Sequence, residues 1–223
     1  MAAKIIVSYD GTDSDHDALA FGRLLSRAGA SLELAYVRHA KEIEQGQEKL
    51  AEHEAERLLE GGAQWLGQPG VPQHVVISGS TPEGLRDLAA QIGADAVVFG
   101  SEYRTTPGHV DPGTSARRLM EGGPVAVGIG PAELRYRPDA PIRTIAAIVE
   151  DDDPSVADTA QALATRLGSS IATKVNGGVD MIVAGSKPGT TLGTVLISAA
   201  VQYLIELSRC PVLVLARGVA IPF

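Results

Sequence analysis

The polar residues best suited to chemistry follow two apolar segments of the chain. The turn 10–14 (Asp-Gly-Thr-Asp-Ser) follows the apolar segment 5–7, and a glycine-rich loop from Gly100 to Ser115 follows the apolar segment 96–99. If both segments are parallel strands, the turn and the loop lie at the carboxyl edge of one sheet, where open α/β folds bind ligands. An aspartate there can accept hydrogen bonds from a ribose, and glycines let the backbone approach a phosphate. A helix beginning near Thr114 would add free N–H groups.

Predicted strands and helices alternate along the first 130 residues. Apolar residues at helical spacing, a Ser-Thr-Pro-Glu cap at 80–83 and glycines after the helices mark the boundaries. This alternation predicts a parallel sheet covered by helices on both faces. The predicted strands are 4–10, 32–37, 75–77, 95–100 and 125–129, and the predicted helices are 14–28, 40–66, 82–92 and 115–121.

The sequence contains an internal repeat. The segment 180–186 (DMIVAGS) mirrors 95–101 (DAVVFGS), and the segment 210–214 mirrors 123–127. A restart of the same strand and helix pattern predicts a second copy of the same supersecondary unit.

The second copy is shorter than the first. Asp10 and Gly100 are 90 positions apart, whereas the residues in the matching places, Glu150 and Gly185, are 35 apart, a difference of 55. The missing part corresponds to the second helix, the third strand and the third helix. We therefore predict a complete domain at 1–131, a proline-containing linker at 132–142 and a truncated domain at 143–217.

Composition narrows the classes of partner. The 223-residue chain carries a net charge of −8, which disfavours general binding of nucleic acid or of an anionic membrane. Cys210 is the only cysteine, so no intramolecular disulfide can form, as is typical of a reducing compartment. The first residues lack the pattern of a signal peptide, and no apolar stretch is long enough to cross a bilayer. We expect a cytoplasmic protein.

Three segments together resemble the universal stress protein family. They are 4–14, 94–101 and 113–119, and the segment 208–215 is similar to the way such domains end. The resemblance implies an α/β fold with an open parallel sheet of the flavodoxin/HUP type, strand order 3-2-1-4-5, followed by a shortened second copy. It also implies a stress-related regulatory protein whose first domain binds an adenine nucleotide, ATP or AMP, with or without Mg²⁺.

The resemblance further implies a set of site residues. Nucleotide-binding members carry G-x2-G-x9-G-(S/T) after the fourth strand; here Gly100 and Gly113 hold the outer positions, 13 apart, but Tyr103 replaces the middle glycine. A side chain there would obstruct the phosphates if the backbone needs positive φ. Asp10 would meet the ribose or adenine, and the backbone of Val37, at the end of the second strand, the adenine. The expected nucleotide-binding residues are Asp10, Gly11, Thr12, Val37, Gly100, Ser101, Gly113, Thr114 and Ser115.

The second copy keeps little of this motif. Its matching positions are Gly185, Pro188, Ser198 and Ala199, of which only the first agrees with the motif. We expect no nucleotide there. Members of the family dimerise through their last strands, so the resemblance implies pairing of 125–129 with 212–216 and an intramolecular pseudo-dimer. Further homo-oligomerisation is possible, and the sequence leaves the protein partner unknown.

Several alternatives remain open from the sequence. The turn at 10–14 could be only a helix cap, and the loop after Gly100 could simply be long. The chain could be an interaction module that has lost nucleotide binding or, as a weaker alternative, a slow nucleotide hydrolase. Three adjacent carboxylates at 151–153 resemble a metal cluster, but such a run before a proline is more typical of a helix start. We expect no catalytic residues and no metal ligands.

Overall fold

A computed structural model of the chain describes residues 2–39, 48–151, 153–172 and 178–223. In the first half, apolar strands alternate with amphipathic helices. Its elements are β1 (Lys4–Ser8), α1 (Asp13–Arg27), β2 (Ser31–His39), α2 (Glu48–Leu66), β3 (Gln73–Ser78), α3 (Thr81–Ile92), β4 (Ala96–Gly100), α4 (Thr114–Leu119), β5 (Glu121–Gly123) and β6 (Ala126–Gly130). A 3-10 turn at Leu134–Tyr136 lies in the connection to the second half.

The second half repeats this plan with fewer elements. They are β7 (Thr144–Ile148), α5 (Ser155–Leu167), β8 (Ser170–Ala172), β9 (Met181–Ala184), β10 (Val195–Leu196), α6 (Ala199–Leu207) and β11 (Val212–Val214). By position, β7, β8, β9 and β11 correspond to β1, β2, β4 and β6. Counterparts of α2, β3 and α3 do not occur among the described residues of this half.

The strands form one nine-stranded sheet in the order β3-β2-β1-β4-β6-β11-β9-β7-β8. Within each half the strands are parallel, and the first half has the predicted order 3-2-1-4-5 when β6 is counted as the fifth strand. The predicted α/β fold is therefore confirmed. The sheet is mixed overall, because β6 and β11 pair antiparallel.

The two halves meet at the antiparallel junction. Val212 pairs with Ile129 and Val214 with Val127, which confirms the predicted pairing of the last strands. A second antiparallel pair, β5 with β10, lies in a separate two-stranded sheet and was not predicted. The β6–β11 pair joins equivalent strands of the two copies, as a pseudo-twofold axis requires, whereas β5, which follows α4, pairs with β10, which precedes α6.

The core extends over both halves on each face of the sheet. One face buries Leu19 and Phe21 of α1 together with Leu163 of α5, and the other buries Leu85 of α3 together with Ile205 of α6. Strands covered on both faces explain the nearly continuous apolar runs in the sequence. Within the described residues, no helix is long and apolar enough to span a membrane.

Some predicted boundaries differ from the structure. The helix predicted for 115–121 ends at Leu119, because Glu121–Gly123 forms β5. The predicted helix 40–66 is described only from Glu48, since residues 40–47 lie outside the described part. The helix predicted for 82–92 is confirmed as Thr81–Ile92, with Ser80 accepting a hydrogen bond from the Glu83 N–H and Gly93 ending it at φ 66°.

Candidate functional site

The turn after β1 is held together by Asp15, in the first turn of α1. Its Oδ2 accepts hydrogen bonds from the backbone N–H of Asp10 (2.9 Å), from the backbone N–H of Thr12 (3.1 Å) and from the Thr12 hydroxyl (2.8 Å). Gly11 has φ 87°, which suits glycine. The segment therefore forms a turn that leads into α1, as one interpretation of the sequence expected. The carboxylate of Asp10 is exposed beside it.

The loop after β4 is organised by the buried hydroxyl of Ser101. It donates to the carbonyl oxygen of Gly130 (2.8 Å) and accepts from the backbone N–H of Asp111 (3.2 Å). In the second half, Ser186 donates to the carbonyl oxygen of Leu215 (2.8 Å) and accepts from the N–H of Leu196 (3.2 Å), at the same sequence separations. The two loops therefore share one framework, and the Ser101 hydroxyl is engaged in it.

The turn and the loop enclose a cavity of about 360 Å³ at the carboxyl edge of the sheet. Segments distant in sequence meet there, because β1 and β4 are neighbours in the sheet. Seven of the nine predicted site residues line this cavity: Asp10, Thr12, Gly100, Ser101, Gly113, Thr114 and Ser115.

The other two predicted site residues, Gly11 and Val37, are not among the residues that line the cavity. A Cβ at Gly11 would stand 2.6 Å from a Leu58 methyl carbon, so the turn packs against α2. Val37 lies two residues before the end of β2, which continues to His39, and not at its end as predicted. Its side chain packs against Gly84 of α3.

Tyr103, at the position of the missing glycine, has an ordinary backbone conformation. Glu133 is the only described non-glycine residue with positive φ, so the structure does not require a glycine at position 103. The Tyr103 side chain is 72% exposed, and its hydroxyl accepts a hydrogen bond from Nε of Arg104 (2.8 Å). Although Tyr103 lines the cavity, its ring extends towards solvent.

Two carboxylates in the cavity were missed by the sequence analysis. Asp15 and Glu102 line it together with Asp10, whereas no lysine or arginine among the described residues does so. Burial and the neighbouring carboxyl of Asp10 raise the pKa of Asp15 to about 8. Thr12 and Asp15 stand at the spacing of a helix capping box, which the structure shows, but no local signal placed either carboxylate in the cavity.

A second cavity, of about 280 Å³, adjoins the first and shares five lining residues with it: Thr12, Ser14, Ser101, Glu102 and Tyr103. Its far wall is the connection between the halves, which docks on α1 through the buried Asp17. Oδ1 of Asp17 accepts from the backbone N–H of Arg135 (2.8 Å), and Oδ2 accepts from the N–H of Glu133 and from Nη1 of Arg135 (both 2.9 Å).

In the matching region of the second half, the polar side chains bond to other groups of the same half. Glu150, in the place of Asp10, accepts a hydrogen bond from the hydroxyl of Ser198, which caps α6 and stands in the place of Gly113. Asp151 pairs with Arg217, and Asp153 accepts from the N–H of Gly218. Among the described residues, no three potential ligands are grouped to hold a metal ion.

Comparison with known proteins assigns the chain to a family. The model of the Universal stress protein family matches residues 1–129, more than half of the sequence. The chain belongs to this family. No curated protein sequence matches it significantly.

Solved structures agree with the fold of this universal stress protein over nearly its whole length. A universal stress protein from Archaeoglobus fulgidus has a TM-score of 0.73 at 13% identity, covering 96% of this chain and 98% of that one. A protein of unknown function from Pseudomonas aeruginosa has a TM-score of 0.60 at 13% identity, covering 97% and 93%. At these identities the likeness concerns the fold alone. Another universal stress protein of Archaeoglobus fulgidus, solved with dAMP, covers 45% of this chain and 81% of its own, with 19% identity and a TM-score of 0.36.

The two outer glycines of the family motif have different physical roles here. A Cβ at Gly100 would overlap the carbonyl oxygen of Ser14, whereas a Cβ at Gly113 would meet only the flexible carboxylate of Glu102, at 3.1 Å. We expect Gly100→Ala to lower the free energy of unfolding by about 1–3 kcal/mol because backbone cannot yield as a side chain can. Gly113→Ala should change it by less than about 0.5 kcal/mol. Urea denaturation of both variants measures the difference, and equal effects would contradict this distinction.

The raised pKa of Asp15 makes stability depend on pH. Between pH 3.8, which is the ordinary pKa of an aspartate, and about pH 8, the Asp15 carboxyl is protonated in the folded chain but ionised in the unfolded chain. Asp15 therefore makes its full contribution to the free energy of unfolding below about pH 4, and this contribution is lost as the pH rises to about 8. The free energy of unfolding falls over this range by at most about 1.4 kcal/mol per pH unit. We expect Asp15→Asn to remove this slope in urea unfolding between pH 5 and 9. Parallel pH profiles for the variant and the wild type would contradict the assignment.

Proposed function

We propose that this universal stress protein is a stress-related regulatory protein whose first half binds an adenine nucleotide. The observation that carries the proposal is the convergence of three separate segments, 10–12, 100–101 and 113–115, on one cavity at the carboxyl edge of the sheet. This edge is where open parallel sheets bind ligands. The choice of an adenine nucleotide, AMP or ATP, rests on the family resemblance.

Several polar groups in the cavity have a specific role in this proposal. Asp10, exposed at the end of the turn, accepts hydrogen bonds from the ribose hydroxyls. The hydroxyls of Thr114 and Ser115 and the backbone at Gly113 contact the phosphates. Because the carboxylates of Asp10 and Glu102 face the ligand, ATP would enter with Mg²⁺ to offset its charge.

We propose that the second half serves as an internal dimerisation partner. In support of this role, β11 covers the edge of β6 that would otherwise expose unpaired backbone groups. The pairing of β5 with β10 adds a second contact between the two halves. Glu150 and Ser198, which replace Asp10 and Gly113 in the second half, hydrogen-bond to each other, in keeping with one nucleotide per chain. We also propose a cytoplasmic location, in keeping with a single buried cysteine.

Isothermal titration calorimetry of AMP and of Mg·ATP tests nucleotide binding. We expect one site per chain and a loss of affinity of at least about tenfold in Asp10→Ala, because the ribose loses a charged acceptor. Asp87→Ala removes an exposed carboxylate from α3, outside the cavity lining, and should bind as the wild type does. Absence of binding at millimolar nucleotide, or equal losses in the two variants, would contradict the proposal.

A second candidate function is a nucleotide-independent interaction module of the same family. The observation that favours it is the acidic lining of the cavity, since the carboxylates of Asp10 and Glu102 repel an anionic ligand and no described lysine or arginine lines the cavity to offset them. The titration above discriminates the two functions, because only the nucleotide-binding function predicts heat that depends on Asp10.

A further inference from the structure

The inference concerns Glu102, which lies in the wall shared by the two adjoining cavities. Its backbone is fixed on both sides: its N–H donates to the carbonyl oxygen of Asp111 (2.8 Å), and its carbonyl oxygen accepts from the N–H of Thr105 (2.9 Å). The position of the residue is therefore set by the loop, whereas its exposed side chain can rotate.

The carboxylate of Glu102 stands beside the last glycine of the motif. Its Oε2 lies 3.1 Å from where a Cβ on Gly113 would be, and its Oε1 accepts a weak hydrogen bond from the backbone N–H of Tyr103 (3.3 Å). The carboxylate thus occupies space next to the 113–115 segment that the proposed function assigns to phosphates.

The negative charge of Glu102 is not offset by a nearby cation. Among the described residues, no lysine, arginine or histidine forms an ion pair with it. Arg135 lines the adjoining cavity, but its Nη1 is bound to Asp17 at 2.9 Å. Arg104 packs on the ring of Tyr103, with its guanidinium carbon 5.2 Å from the ring centroid.

We infer that Glu102 is a specificity-determining residue of the nucleotide site, which selects ligands by phosphate charge. The carboxylate repels each phosphate charge that is brought beside Gly113, so the penalty grows from nucleoside to monophosphate to triphosphate. The affinity for neutral adenosine is unaffected by this repulsion, and AMP binds more tightly than Mg-free ATP. This inference rests on the proposed function, whose ligand class it narrows to adenine nucleotides of low charge.

The test is calorimetric titration of adenosine, AMP and Mg-free ATP into the full chain and its Glu102→Gln variant. Glutamine keeps the size and the hydrogen-bonding oxygen but removes the charge. We expect the variant to bind adenosine within about twofold of the wild type, AMP about threefold more tightly and ATP about tenfold more tightly. The increase in affinity of the variant for AMP and ATP should become smaller in 0.5 M salt, where charges are screened over about 4 Å.

Glu60→Gln provides the matched control, because Glu60 is exposed on α2 and does not line the cavity. This variant should leave all three affinities at the wild-type values. If the wild type binds nucleotide and Glu102→Gln shifts all three ligands equally or none of them, the inference is overturned while the proposed function stands. If neither protein binds any of the ligands, both are overturned.

Discussion

Asp17→Ala is expected to lower the free energy of unfolding by about 3–5 kcal/mol, since it leaves a partly buried guanidinium and two backbone N–H groups without acceptors. Asp17 is 1% exposed and fastens the connection between the halves through Glu133 and Arg135. The loss should appear in urea denaturation as a lower midpoint.

The matched control is Asp13→Ala, one helical turn earlier. The Asp13 side chain is 90% exposed, and its carboxylate lies 3.6 Å from the same guanidinium. An exposed pair of this kind contributes between about 0 and 1 kcal/mol. Similar losses in Asp13→Ala and Asp17→Ala would show that burial is not what makes the Asp17 contact important.

A chain that ends at Ala140 is expected to self-associate. It keeps the Asp17 contacts and the Arg23–Asp139 ion pair, but it lacks β11, so the edge of β6 loses its antiparallel partner. An unpaired apolar edge strand pairs with another copy, and two such chains could restore the junction symmetrically. Sedimentation velocity should show a dimer or larger species, with the full chain as reference. Exposed strand edges associate at micromolar to millimolar concentrations. A folded fragment that stays monomeric at roughly 50 μM would therefore contradict the proposed role of the second half.

Much of the fold was predictable because its signals are local and repeated. The apolar runs ending in Gly-Ser at 95–101 and 180–186 occupy equivalent strands, and Ser101 and Ser186 make equivalent hydrogen bonds. The shorter distance from Glu150 to Gly185 than from Asp10 to Gly100 predicted which elements the second half lacks, and none of them occurs among its described residues. In contrast, β5 and β10 are two or three residues long and pair only across the junction, so no periodicity within either segment indicates them.

The location of the candidate cavity was predictable from the sequence, but the carboxyl groups that line it were not all predictable. Residues of the turn and the loop converge as expected, because parallel neighbouring strands end at the same edge. Asp15 and Glu102 line the cavity because of the way the turn and the loop fold around it, and the spacing of residues in the sequence does not predict that conformation. Gly100 matches a phosphate-binding motif, yet its lack of a side chain is explained by the Ser14 carbonyl that it contacts.

The most direct measurement is the thermal unfolding midpoint of the full chain with and without AMP and Mg·ATP. A ligand at 100 times its dissociation constant stabilises the folded state by about 2.7 kcal/mol, which for a chain of this size raises the midpoint by roughly 5–10 °C. We predict such a rise with an adenine nucleotide, a much smaller one in Asp10→Ala, and none with GTP at equal concentration. No rise at millimolar adenine nucleotide, for protein shown by absorbance to be free of bound nucleotide, would contradict nucleotide binding by this cavity.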